Sequence, residues 1–306
     1  MSKIQEALSK LQKQGTARAP QPTPRQMGRV RDDEDMSRIM PMMQHDYGGS
    51  IVEVDRDALR EAGLLAAVAE QRRIADQYRQ IKRPLLANAL GSKVTEVPRG
   101  NLIMVGSAIP GEGKTFTCIN LALSIALERD WSVVLVDADC SKPHISHLFG
   151  LEDRPGLLDV LRESTSRFND YVIPTDIPSL AILPAGQQDE LASELLSSER
   201  MDRLAHRLSS EDPRRIVLFD TSPLLYTTES PIVSTHVGQV ALVVAADRTA
   251  QQMVINAVEL LDSTKAINAI LNKAGNGDGM SGEYYGYGYS AHGRDGGADP
   301  RTEEAS

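Results

Sequence analysis

Residues 107–116 read SAIPGEGKTF and stand directly behind the apolar run NLIMVG. From Ala108 to Thr115 the spacing is that of a phosphate-binding loop ending in Gly-Lys-Thr, with Ala where a first glycine often stands. Gly111 and Gly113 let the backbone curl until its N–H groups converge on anionic oxygens, and the helix starting near Lys114 adds its positive end. Pro110, Gly111, Glu112, Gly113, Lys114, Thr115 and Phe116 are therefore expected around ATP, with Lys114 reaching the β- and γ-phosphates and the Thr115 hydroxyl on Mg²⁺. An apolar strand, Leu102 to Val105, leads in and an apolar helix, Thr115 to Leu127, leads out, which is the context such a loop requires.

Outward from this loop the chain alternates short Val/Ile/Leu runs with helical patterns. The strands are expected at Leu102–Val105, Val133–Val136, Leu180–Leu183, Ile216–Phe219, Val240–Ala245 and Ile267–Leu271. The helices between them are expected at Leu157–Arg162, Leu191–Leu208 and Gln251–Leu261. Alternation of this kind predicts an α/β fold of the P-loop NTPase type, a mostly parallel sheet with helices on both faces.

Ligands of open α/β sheets bind at the carboxyl ends of strands, and carboxylates stand at two of them. Asp137 and Asp139 follow the strand in SVVLVDADCSKP, and Asp220 ends the strand in RRIVLFDTSPLL. A lone Asp at a strand end is usually a cap or turn residue. Three of them on two strands able to flank the P-loop strand point to catalysis. Asp220 is assigned to Mg²⁺, Asp137 to metal positioning and to accepting the proton of an incoming hydroxyl, and Asp139 to supporting it. Asn272, at the end of the last strand, could read an adenine edge or cap a turn.

The 306 residues are 41% hydrophobic, enough for a sizeable core, and the net charge of −9 without a basic stripe argues against a nucleic-acid partner. Cys118 and Cys140 have no metal-ligand spacing and read as small buried residues of a reduced, cytoplasmic protein. No apolar run has the length of a membrane span, so recruitment to a membrane would need a partner. Residues 1–50 are expected to hold a short amphipathic helix around Ile4, Leu8 and Leu11 and then a disordered linker. Residues 51–95 form a helical lead-in, with a helix from Val68 to Arg83 closed by Pro84, whose Asp76, Arg79 and Lys82 share one broad face. Residues 96–278 make the P-loop core.

Residues 279–306 are a flexible tail containing GEYYGYGYS, which holds Tyr284, Tyr285, Tyr287 and Tyr289. Alternating glycine removes packing partners, so these phenols are expected to be exposed and able to accept phosphate from the ATP site of another molecule.

In these stretches the chain resembles the bacterial tyrosine autokinases of polysaccharide export, the BY-kinases, and within them the soluble, exosortase-associated branch. The resemblance rests on SAIPGEGKT, VVLVDADCSKP, IVLFDTSPLL, the lead-in DQYRQIKRPLLANALG and the Tyr/Gly tail. It implies autophosphorylation in trans, catalysis by Lys114, Asp137, Asp139 and Asp220, and a homo-oligomeric ring built through Asp76, Arg79 and Lys82. It also implies a separate membrane chain-length determinant as partner, at the inner face of the plasma membrane. Departures are Asp76 and Lys82 where the family has Glu and Arg, Lys142 beside the proline, and 17 residues after Tyr289. Alternatives are a partition- or cell-division-type ATPase switch, whose additional lysine is replaced here by Ile109, and a non-catalytic ATP-gated adaptor.

Overall fold

The computed structural model describes residues 28–32, 47, 50–91, 97–163 and 167–274. The amphipathic segment near the N-terminus and the tail tyrosines Tyr284, Tyr285, Tyr287 and Tyr289 lie outside the described residues.

The chain opens with β1 (Gly28–Asp32), β2 (Ser50–Val54), α1 (Arg56–Glu61) and α2 (Gln71–Leu90). The core follows as β3 (Leu102–Ser107), α3 (Lys114–Ala126), β4 (Ser132–Asp137), α4 (His144–Leu148), α5 (Leu157–Arg162), β5 (Ile173–Pro174) and β6 (Leu180–Leu183). It closes with α6 (Ala192–Leu196), α7 (Glu199–Glu211), β7 (Arg215–Asp220), α8 (Glu229–His236), β8 (Gln239–Ala245), α9 (Gln251–Glu259) and β9 (Ala266–Asn272). Seven strands pair in the order β5-β6-β4-β7-β3-β8-β9, with β5 antiparallel to β6 and the other pairs parallel. The expected doubly covered sheet is what forms.

The period of two along the central strands explains the layers. Met104, Val217 and Phe219 enter one core with Leu157 of α5, Met201 and Leu204 of α7 and Ala257 of α9. Ile103, Val105, Ile216 and Leu218 enter the opposite core with Cys118, Leu121 and Ile125 of α3, Leu59 of α1 and Leu85 of α2. Burial on both faces is why β3 and β7 read as unbroken apolar runs rather than as alternation.

Four departures from the sequence reading have physical causes. The lead-in helix does not stop at Pro84 but runs through it to Leu90, where Gly91, at φ 67°, ends it. A proline inside a helix costs about 3 kcal/mol. Leu85 is fully buried, its carbonyl accepts from Gln239 Nε2 at 2.9 Å, and Asn88 Nδ2 donates to Gln239 Oε1 at 2.8 Å. A buried Leu contributes about 1.5–3 kcal/mol, and with these bonds it offsets the proline. The expected helix Leu191–Leu208 is two helices, because Ser198 takes an extended backbone and accepts from Met201 N as an N-cap. Gly28–Asp32, inside the stretch read as linker, is a strand in antiparallel register with Ser50–Val54. Finally, β7 and β8 flank the P-loop strand, while β4 lies one strand further out, beyond β7.

Candidate active site

The loop between β3 and α3 is shaped by Gly111 and Gly113, both in the left-handed region at φ 81° and 96°. At Gly113 a side chain is excluded twice, since a Cβ there would also stand 2.2 Å from Asn272 Nδ2. Asn272 Nδ2 donates to the Glu112 carbonyl at 2.8 Å, and Lys273 Nζ donates to the Gly111 carbonyl at 2.6 Å. The end of β9 thus braces the phosphate loop, and the Asn272 amide, which the sequence left open between an adenine contact and a turn cap, donates into that brace.

Glu112 is an internal anchor. Its carboxylate is buried, with Oε2 accepting from Ile109 N at 2.7 Å and Oε1 accepting from Ala245 N at 3.2 Å and Thr249 Oγ1 at 2.6 Å. A buried carboxylate requires such donors, and here they tie the loop to the end of β8. Phe116, also expected near nucleotide, is half-buried and packs at a tilt against Tyr78 of α2, with ring centroids 6.5 Å apart. Pro110 is exposed at the loop tip.

The strand-end carboxylates lie near one another. Asp137 and Asp220 are direct partners in the β4–β7 register, and both are fully buried. Thr115 Oγ1 donates to Asp220 Oδ2 at 2.8 Å, and Lys114 Nζ lies 3.7 Å from Asp139 Oδ2. Asp139 Oδ1 accepts from Ser222 Oγ at 2.5 Å, Ser141 Oγ at 3.0 Å and Lys142 N at 3.1 Å. Asp137 Oδ2 accepts from Ser146 N at 2.7 Å and Ser146 Oγ at 2.8 Å.

Burial drives the electrostatics. Asp137 is pushed up to about 7 by desolvation, against the two Ser146 hydrogen bonds. Asp220 is pushed up to about 6 by desolvation, against Lys114 and the Thr115 hydroxyl. These are acids held in a dry site that would ionise fully beside a cation.

Asp220 Oδ1 is buried with no hydrogen-bond partner among the described residues. Two buried carboxylates, a threonine hydroxyl and an orphaned carboxylate oxygen form an all-oxygen donor set that fits Mg²⁺, which takes few protein ligands and keeps water and phosphate oxygens for the rest.

The oligomerisation face read from α2 does not form as one face. Arg79 pairs with Asp76 on the exposed side, but Lys82 is buried, with Nζ donating to Ser124 O at 2.5 Å and 2.7 Å from Glu128 Oε1. Contact with α3 draws it inward. Sequence reasoning missed Ser146, Ser222, Thr249 and Lys273, whose roles depend on elements distant in the chain. Among the described residues no helix is long and apolar enough to cross a membrane.

No protein-family model matches the chain. It is similar to the tyrosine-protein kinase YwqD of Bacillus subtilis, at 29% identity over 220 residues, 71% of this chain and 89% of that one. It is 35% identical over 145 residues to the tyrosine-protein kinase wzc of Salmonella typhimurium, a match that covers 47% of this chain but only 20% of that protein. Among solved structures the kinase domain of VpsO matches with a TM-score of 0.55 and 29% identity, over 68% of this chain and 100% of that one. In sequence and in fold, the homologues of this chain are bacterial tyrosine-protein kinases.

Proposed function

We propose that this chain is an ATP- and Mg²⁺-dependent protein-tyrosine kinase that transfers the γ-phosphate of ATP to tyrosines of its own tail, Tyr284, Tyr285, Tyr287 and Tyr289, in a second copy. The observation that carries this reading is the convergence of Thr115, Lys114, Asp137, Asp139 and Asp220 on one buried site, with the Asp220 Oδ1 atom left unpartnered.

The N–H groups of Gly111 to Thr115 and the ammonium of Lys114 hold the phosphates. Thr115 and Asp220 would hold Mg²⁺, with Asp137 beside them. When bound, the metal supplies charge neutralisation between the phosphates. Lys114, 3.7 Å from Asp139, is kept at the site by that carboxylate until phosphate replaces it. Asp137 takes the phenolic proton as the tyrosine oxygen attacks, and in-line transfer asks for little beyond placement and charge. Asn272 and Glu112 act as supports of the loop.

By resemblance to the BY-kinases, and to their soluble exosortase-associated branch, the kinase works with a separate membrane chain-length determinant in exopolysaccharide production. It assembles there as a homo-oligomer at the inner face of the membrane. Of Asp76, Arg79 and Lys82, the first two are then exposed and open to a neighbouring copy. The functional test is anti-phosphotyrosine detection after incubation with Mg²⁺-ATP. Strong signal from the wild-type chain and a roughly 100-fold slower rise from Thr115→Ala is expected, and equal signal from both would refute the metal assignment.

A further inference from the structure

We infer that Ser146 is the positioning residue for Asp137 in the transfer step, a role resting on the proposed kinase reading. Asp137 ends β4 with no exposed surface, so its orientation is set by the protein donors around it. One oxygen, Oδ2, is held twice by a single residue, through Ser146 N at 2.7 Å and Ser146 Oγ at 2.8 Å. Two donors converging from one residue fix both the side-chain torsion and the plane of the carboxylate.

The direction of the Ser146 hydroxyl is also determined. Its Oγ accepts from Ala185 N at 3.0 Å. With that lone pair occupied by an N–H, the single hydroxyl proton is committed to Asp137. Ser146 is itself buried, 1% exposed, so water does not compete for the bond. The chain Ala185 N–H to Ser146 Oγ to Asp137 Oδ2 therefore anchors the acid on β4 to the segment that follows β6.

The opposite oxygen is held loosely. Among the described residues Oδ1 accepts only from Asp139 N, at 3.3 Å, near the outer limit for such a bond. Oδ1 is thus the oxygen with capacity left for an incoming hydroxyl, and Ser146 decides which way it faces. The pattern is that of an outer-shell group orienting a working carboxylate, where substitution typically costs 10–100-fold in activity.

The test is steady-state ADP release and phosphotyrosine formation by the full chain at saturating Mg²⁺, comparing Ser146→Ala, Ser146→Thr and Asp137→Asn with wild type. Ser146→Ala is expected to lower kcat roughly 10–100-fold with the KM for ATP within about twofold, because the P-loop contacts are untouched. Ser146→Thr, which keeps the hydroxyl, is expected to recover most of the rate, and Asp137→Asn to abolish it. Wild-type kcat in Ser146→Ala, with Asp137→Asn inactive, would overturn the positioning role alone. So would a rise in KM matching the fall in kcat, or equal losses in the Ala and Thr variants. An active Asp137→Asn would overturn the role of Asp137 itself and this inference with it.

Discussion

Thr115, in the first turn of α3, and Asp220, the last residue of β7, are joined by a buried hydrogen bond of 2.8 Å across 105 positions of sequence. This bond links the phosphate loop to the acidic strand ends, and it uses one carboxylate oxygen while leaving the other free. Replacing the hydroxyl removes the group that orients Asp220 and, on the proposed reading, a metal ligand. Thr115→Ala should lower the Mg²⁺-dependent rate by roughly 100-fold, the scale of losing one preorganised polar contact in a dry site. Thr115→Ser, which keeps the oxygen, should lose far less. Initial rates over a Mg²⁺ titration check this.

The raised acidities give a signed pH dependence. Asp137 and Asp220 hold protons more tightly folded than unfolded, with folded values of about 7 and about 6 against an ordinary value near ~3.9. The folded state therefore binds more protons at these two groups across that window, so their contribution to stability is fully present below the ordinary carboxylate range and is lost as pH rises through 6 and 7. Urea midpoints measured across this range should fall with pH, and Asp137→Asn should flatten the slope. Mg²⁺ with ATP should flatten it as well, because a cation restores the charged forms.

Gly113 combines a left-handed backbone with the close approach of Asn272. Gly113→Ala should weaken nucleotide binding at least about tenfold, because a side chain is strained at that φ whatever the space around it. Adding Asn272→Ala relieves the contact but not the backbone, so the double variant should recover only part of the loss. Titration with a fluorescent ATP analogue separates these outcomes.

Lys82 is a test of the α2 reading. Its ammonium is buried and held by Ser124 O and Glu128. Lys82→Ala should cost about 2 kcal/mol of stability, below the range for a fully buried pair because Glu128 is half exposed. Arg79→Ala, removing an exposed i,i+3 pair, should cost well under ~1 kcal/mol and act on self-association instead. Denaturant melts and sedimentation measure the two effects separately.

The sequence was most informative where a local pattern decides the structure. SAIPGEGKT sits where loop chemistry places it, and the six expected strands appear within a residue or two of their bounds. What escaped depended on distant partners. Pro84 is a helix breaker by local rules, and only the packing of Leu85 and the Gln239 bonds carries the helix past it. Lys82 looks like a surface charge until α3 folds against it. Asp137, Asp139 and Asp220 were legible as strand-end acids, but Ser146 and Ser222 carry no signal in the chain, since a serine is found useful only when the carboxylate it touches is known.

On the proposed reading the tail tyrosines are the acceptors of the phosphate, so the most direct measurement is peptide mass spectrometry of the purified chain after incubation with Mg²⁺-ATP, beside a Lys114→Met control. The account predicts phosphate on Tyr284, Tyr285, Tyr287 or Tyr289, absent from the control. Phosphate released only to water, with all four tyrosines unmodified, would contradict it and assign the site to an ATPase switch.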